Sequence, residues 1–148
     1  MARVLAVDPG EKRIGIAVSD LTATIAGPLG VIAHVSRTAD AAKVARLALE
    51  QQAVLIVVGQ PLDSEGEIGP AARKAGRFAE ALGEQTAIPV QLWDETGSTV
   101  EALSARRQMG VKRAKRTGHL DEMAATVILQ TFLDALTEPE KTALEGKG

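Results

Sequence analysis

The chain has 148 residues, 45% of them hydrophobic, with 17 Lys and Arg against 19 Asp and Glu, the composition of one soluble globular domain and not of a disordered or fibrous chain. It contains no cysteine, which excludes thiol catalysis, disulfide scaffolds and zinc sites built on thiolates. The longest apolar run, Ala53 to Val58, is far short of the ~20 residues a membrane helix needs; Met1 to Asp8 reaches a carboxylate before a signal-peptide core could form, so a cytoplasmic protein with no membrane partner is expected.

Arg3 to Asp8 reads as a first strand stopped by the turn Asp8-Pro9-Gly10. Ile14 to Val18 follows as a second, the two forming a hairpin, and Leu29 to Val35, after Gly27-Pro28, continues an antiparallel meander. From Thr38 the period changes: Ala41, Val44, Ala45 and Ala48 repeat at helical spacing up to Gln52, with Thr38 or Asp40 as the cap. Val54 to Val58 is a continuous apolar run, as expected of a strand covered on both faces. After a loop ending at Gly69-Pro70, Ala71 to Leu82 reads as a helix, and Val90 to Trp93 as the fifth strand, ending at Asp94-Glu95. Ser98-Thr99-Val100-Glu101 has capping-box spacing and opens a helix closed by Gly110. Leu120, Met123, Ala124, Val127, Ile128 and Thr131 mark a last core-facing helix to about Leu136. The fold class expected is α/β: a five-stranded mixed sheet, three strands antiparallel and then parallel ones, with helices packed on it. Residues 1–137 form one domain, and 138–148, with Pro139, two glycines and mixed charge, a flexible C-terminal tail.

The formal net charge of −2 is unevenly spread. Arg106, Arg107, Lys112, Arg113, Lys115 and Arg116 lie in a stretch, 102–120, that holds no acid, so one face suits a polyanion while the rest of the chain is acidic. A solvated helix end is the plainer account of that run, but its place between two acid-bearing elements favours nucleic acid binding. The aromatics are Phe78, Trp93 and Phe132, all in apolar segments, which leaves no platform for stacking bases. Contacts to nucleic acid should therefore be mainly to phosphate.

Acids recur at element ends: Asp8 after the first strand, Asp94 and Glu95 after the fifth, Asp121 in the first turn of the last helix. Each alone would serve as a cap or a solvated strand end. Brought together, three carboxylates would repel one another unless a hard divalent cation, Mg²⁺ or Mn²⁺, neutralised them, and such a site can activate water against a phosphodiester. Strand alternation puts Asp94 and Glu95 on opposite faces, so only one of them can reach a shared ion.

The run Val4-Leu5-Ala6-Val7-Asp8-Pro9-Gly10-Glu11-Lys12-Arg13-Ile14-Gly15-Ile16-Ala17-Val18-Ser19-Asp20 resembles the opening of the YqgF family, the RuvX-like Holliday junction resolvases. Val58-Gly59-Gln60-Pro61-Leu62 with Gly66 and Gly69-Pro70 is similar to the family's Gly-x-Pro loop, and Leu120-Asp121-Glu122-Met123-Ala124-Ala125 with Ile128-Leu129-Gln130 to its last helix. The likeness runs in order over most of residues 3–136. It departs at Asp94-Glu95-Thr96-Gly97-Ser98-Thr99, where the family reads Asp-Glu-Arg-Leu-Thr-Thr, so an arginine is missing.

The resemblance implies a ribonuclease H-like fold and a metal-dependent nuclease, with Asp8, Glu95 and Asp121 as catalytic, metal-binding acids and Asp94 as the second choice to Glu95, which has the longer reach. Lys12, Arg13 and the basic run would hold phosphate, and His119 would assist a proton transfer or bind phosphate if it does more than open its helix. The expected activity is cleavage of branched DNA by a homodimer; the alternative is processing of the 5′ end of precursor 16S ribosomal RNA, an association the family also carries. A nucleotide-binding module of the actin and sugar-kinase type would need a second related domain, and a non-catalytic nucleic acid adaptor has only the altered Asp94–Thr99 motif in its favour.

Overall fold

A computed structural model describes residues 2–61, 69–94 and 119–147, with the backbone alone for 119–122 and 145–147. Strands β1 (Arg3–Pro9), β2 (Arg13–Ser19), β3 (Ala26–Ala33), β4 (Ala53–Gln60) and β5 (Val90–Asp94) form one sheet in the order β3-β2-β1-β4-β5. Short turns make β1 to β3 antiparallel neighbours, whereas β4 lies parallel to β1 and β5 parallel to β4. The parallel pairs need crossovers, which helices α1 (Arg37–Glu50) and α2 (Pro70–Gln85) supply. Two further helices follow, α3 (His119–Ala135) and α4 (Glu138–Lys147). The mixed sheet expected from the sequence is the one observed. Among the described residues no helix is long and apolar enough to cross a membrane.

Alternation along the strands divides the core in two. Leu5 and Val7 of β1, Ile14 and Ile16 of β2, and Ile56 and Val58 of β4 pack under α1 and α2, against Val44, Phe78 and Leu82. Val4, Ala6, Ala17 and Val57 face the other way, onto Ala125, Ile128, Leu129 and Phe132 of α3. This is why β1 and β4 read as unbroken apolar runs: each is covered on both faces.

Three local expectations differ from the structure. The third strand is not Leu29 to Val35 but begins at Ala26, ahead of Gly27-Pro28, and stops at Ala33; Pro28 lies within it, because β3 borders only β2 among the described residues and an edge strand tolerates a residue without an N–H. Helix α1 is capped by neither Thr38 nor Asp40: Ser36 Oγ accepts from Ala39 N at 3.1 Å, and Asp40, 2% exposed, is turned inward. Where a flexible tail after Thr137 was expected, residues Glu138–Lys147 form α4. Thr137 N donates to Glu140 Oε1 at 2.9 Å and Glu140 N to Thr137 Oγ1 at 3.3 Å, a capping box. Pro139 falls in the first turn, where no intrahelical N–H is required, and Leu144, 8% exposed, joins the core beneath α3.

The turn after β2 is held by one carboxylate. Asp20 Oδ1 accepts from Thr24 N at 2.9 Å and Ile25 N at 3.2 Å, and its Oδ2 from Thr22 Oγ1 at 2.8 Å. The hydrogen bond from the Thr24 N–H foremost, with those from Thr22 and Ile25, holds the Asp20 carboxyl below its ordinary value of 3.8 against the opposing effect of desolvation. A carboxyl whose folded pKa is depressed adds stability above the unfolded value and loses it as pH falls through the folded one. Wild type is therefore expected to be more stable than Asp20→Asn at neutral pH, with the gap closing only as the pH drops below 3.8. Urea midpoints of the two proteins across that range check it; a gap independent of pH would be the contrary result.

Candidate active site

Asp8 is half-buried near the C-terminal end of β1. In the register it stands opposite Gly15 of β2, which has no side chain to fill the space. Because Ala6 and Ala17 pack under α3 while Val7 and Ile16 pack under α1 and α2, alternation puts Asp8 on the α3 face.

Asp94 ends β5 on the opposite face. Its neighbour Trp93 is committed to the α3 side, where Nε1 donates to Thr131 Oγ1 at 3.0 Å and the ring meets Phe132 edge-on, with centroids 5.3 Å apart. Gln60, the register partner of Asp94, reaches the α2 side, its Nε2 donating to Ala72 O at 3.4 Å. Asp8 and Asp94 are thus not brought together, and among the described residues no three His, Asp or Glu side chains are grouped to hold a metal.

Helix α3 packs across β1, β2 and β3. Gln130 ties it to the start of β3, with Oε1 accepting from Ala26 N at 2.9 Å and Nε2 donating to Thr24 O at 3.0 Å. Ala26 pairs with Ser19, whose Oγ accepts from Val4 N at 2.8 Å, so Gln130 marks the level of Val4. Leu136, just past the helix, lines a hollow with Leu55 of β4, the register partner of Val4, so from Gln130 to Leu136 the chain crosses the sheet from β3 toward β4. Asp8 lies at the opposite end of β1 from Val4.

The β1–β2 turn lies at the same end of the sheet. It carries Lys12, exposed, and Arg13, half-buried and engaged with a neighbour. Gly10 N donates to Arg13 O at 2.9 Å, and a Cβ on Gly10 would sit 2.5 Å from that oxygen. Gly10→Ala must therefore push the turn open, at an expected cost of about 1–3 kcal/mol. The check is the melting midpoint together with affinity for nucleic acid, both of which should fall; an unshifted midpoint would show that the turn yields freely.

The remaining site residues named from sequence, Glu95 and the basic residues Arg106, Arg107, Lys112, Arg113, Lys115 and Arg116, lie outside the described residues, as do Gly66, the helix expected from Ser98 and the side chains of His119 and Asp121.

The profile of the RuvX family, described as Holliday junction resolvase, matches residues 2–135. The chain belongs to the RuvX family. A relative from Chloroflexus aggregans, provisionally named pre-16S rRNA nuclease, is 44% identical over 137 residues, covering 92% of this chain and 96% of its own. One from Thermoanaerobacter pseudethanolicus with the same name is 40% identical over 134 residues, covering 90% and 96%. Among solved structures, Thermus thermophilus RuvC in complex with a Holliday junction is similar with a TM-score of 0.55 at 19% identity, over 88% of this chain and 92% of that one. The fowlpox virus Holliday junction resolvase follows with 0.53 at 15% identity, over 90% and 99%. The fold is ribonuclease H-like, and this RuvX-family chain is a nuclease, a hydrolase of phosphodiester bonds.

Sequence reasoning missed a polar cluster on the α1/α2 side of the same turn. Asp40 Oδ2 is paired with His34 Nδ1 and its Oδ1 accepts from Val35 N at 3.0 Å, while Lys74 Nζ of α2 donates to Gly10 O at 3.3 Å. The available signal was a histidine and an aspartate either side of Ser36, with Asp40 on the same helical stripe as the buried Val44.

Proposed function

We propose that this RuvX-family nuclease trims the 5′ end of precursor 16S ribosomal RNA in the cytoplasm by metal-dependent hydrolysis. The observation that carries the chemistry is the place of Asp8: a half-buried carboxylate at the end of a strand covered on both faces, on the side that α3, the helix bearing Asp121, packs against. The names of relatives at about 40% identity over nearly the whole chain support RNA as substrate. Asp8, Glu95 and Asp121 would hold Mg²⁺ or Mn²⁺, since carboxylate oxygens are the donors such hard cations take. Asp94, on the opposite face, is left out. When bound, the cation would supply Lewis-acid activation of water and charge stabilisation at the leaving oxygen. The chain's own part is to fix the scissile phosphate: Asp8 is held by a strand buried on both faces, and Lys12 and Arg13 offer cations to phosphates at the same end of the sheet.

The test compares purified protein on 5′-extended precursor 16S ribosomal RNA, a four-way DNA junction and linear duplex, each with Mg²⁺, Mn²⁺ or EDTA. Trimming of the RNA that EDTA abolishes is expected. Paired cuts in the junction with the RNA left whole would replace this reading by the second one, a dimeric resolvase of branched DNA, which the family's description favours.

A further inference from the structure

The apolar side chains by which α3 meets the sheet, Ala125, Ile128, Leu129 and Phe132, attract it without a preferred direction. Direction comes from two adjacent polar residues, Gln130 and Thr131, which lie about 100° apart around a helix of 3.6 residues per turn. Gln130 is tied to Thr24 O and Ala26 N at the start of β3, and Thr131 to Trp93 of β5, so the helix is gripped from both outer strands of the sheet. The second grip is fully committed: Thr131 Oγ1 donates its one proton to Ile128 O at 2.8 Å and accepts from Trp93 Nε1 at 3.0 Å. Trp93 pairs with Gly59, the residue after Val58, and Val58 pairs with Val7, the residue before Asp8. Trp93 therefore stands on the face of Asp8 and at its level, two strands away, about 10 Å at the usual strand spacing.

We infer that Trp93 and Thr131 are positioning residues for the acidic site, their hydrogen bond fixing the end of β5, next in sequence to Glu95, against the helix that bears Asp121. The inference rests on the reading of Asp8, Glu95 and Asp121 as metal-binding acids. Neither residue is a ligand: the indole N–H only donates, and the hydroxyl is bonded twice already. Glu95 is two residues past Trp93 in the chain. Asp121 precedes Ala125 by four residues and Ile128 by seven, the spacing of one helical stripe. A helix turns as a unit, so a rotation released at Thr131 is carried to Asp121, and acids on two separate elements lose their register with each other.

The experiment uses the full chain as wild type, Thr131→Val, Thr131→Ser, Trp93→Phe and the double variant Trp93→Phe/Thr131→Val. Each is titrated with Mn²⁺ in a calorimeter without nucleic acid, assayed for cleavage of precursor ribosomal RNA over a Mg²⁺ series, and measured for RNA binding in EDTA and for its urea midpoint. Thr131→Val removes the acceptor and keeps the shape. It should weaken Mn²⁺ binding about tenfold and raise the Mg²⁺ needed for half-maximal rate by a like factor, the order of loss seen when groups that orient metal ligands are removed. Trp93→Phe should match it, reporting on the same bond from the other partner if Thr131→Val disturbs the fold, and the double variant should be no worse than either single. Thr131→Ser, which keeps the hydroxyl, should restore Mn²⁺ binding, and RNA binding in EDTA should be unchanged in all. A merely structural role would lower urea midpoints and leave Mn²⁺ affinity alone. Unchanged Mn²⁺ affinity and Mg²⁺ dependence in Thr131→Val and Trp93→Phe, or a Thr131→Ser variant as impaired as Thr131→Val, would overturn the positioning role, while loss of cleavage in Asp8→Asn would leave the nuclease reading standing. Wild type with neither Mn²⁺ binding nor metal-dependent cleavage would overturn both.

Discussion

Asp8→Asn is expected to lower cleavage by about 10³-fold or more while leaving the fold and substrate binding close to wild type, since groups that act as one catalytic unit show losses of this order. The substitution changes almost no volume but removes a charge that a divalent ion requires. Single-turnover cleavage and anisotropy binding, run on the same preparation, separate the two effects. Retention of activity to within about threefold would remove Asp8 from the reaction. Glu95→Gln and Asp121→Asn should each cost a similar factor, and the double variants little more than the singles, because the three carboxylates would act together.

The largest effect on stability is expected at Phe132. Its ring is 3% exposed, packs in the core between α3 and the sheet, and meets Trp93 edge-on with an interplanar angle of 88°. Phe132→Ala should cost about 3–5 kcal/mol, as removal of a buried aromatic does when its surroundings cannot close the gap; the edge-to-face pairing contributes roughly 0.5–1.5 kcal/mol of such losses. Trp93 would also lose the surface that holds the end of β5 against α3, so activity should fall even where the variant remains folded. Urea unfolding reads the first effect. A change below about 1 kcal/mol would mean that the aromatic pair is not packed as described.

What was legible in the sequence, and what was not, follows from the range over which each element is decided. Val54 to Val58 announced a strand covered on both faces because burial there depends on composition alone. The stripe from Leu120 to Thr131 announced α3 because helical period is a local property. Asp40 could not be read in the same way. As a polar residue two positions after Thr38 it suits a cap, and only tertiary structure decides that it pairs with His34 inside. The capping box of Thr137 and Glu140 was present in the sequence, but Pro139 and the neighbouring charges outweighed it. Strand alternation established that Asp94 and Glu95 cannot share a face; which face Asp94 takes is decided by the hydrogen bond from Trp93 to Thr131, 38 residues away.

The bonds from Gln130 to Ala26 and Thr24 span 104 and 106 residues, and this has a consequence for how the enzyme comes into being. Domains fold while the ribosome is still adding roughly 5–20 residues each second. The β1–β3 meander can form from the first part of the chain, yet the helix that covers its other face and bears Asp121 comes only after β4, α2 and β5. Until then the carboxylates proposed for the site are on segments that cannot meet, so a half-made copy is expected to lack the proposed activity. Loss of α3 would leave a sheet with one bare apolar face.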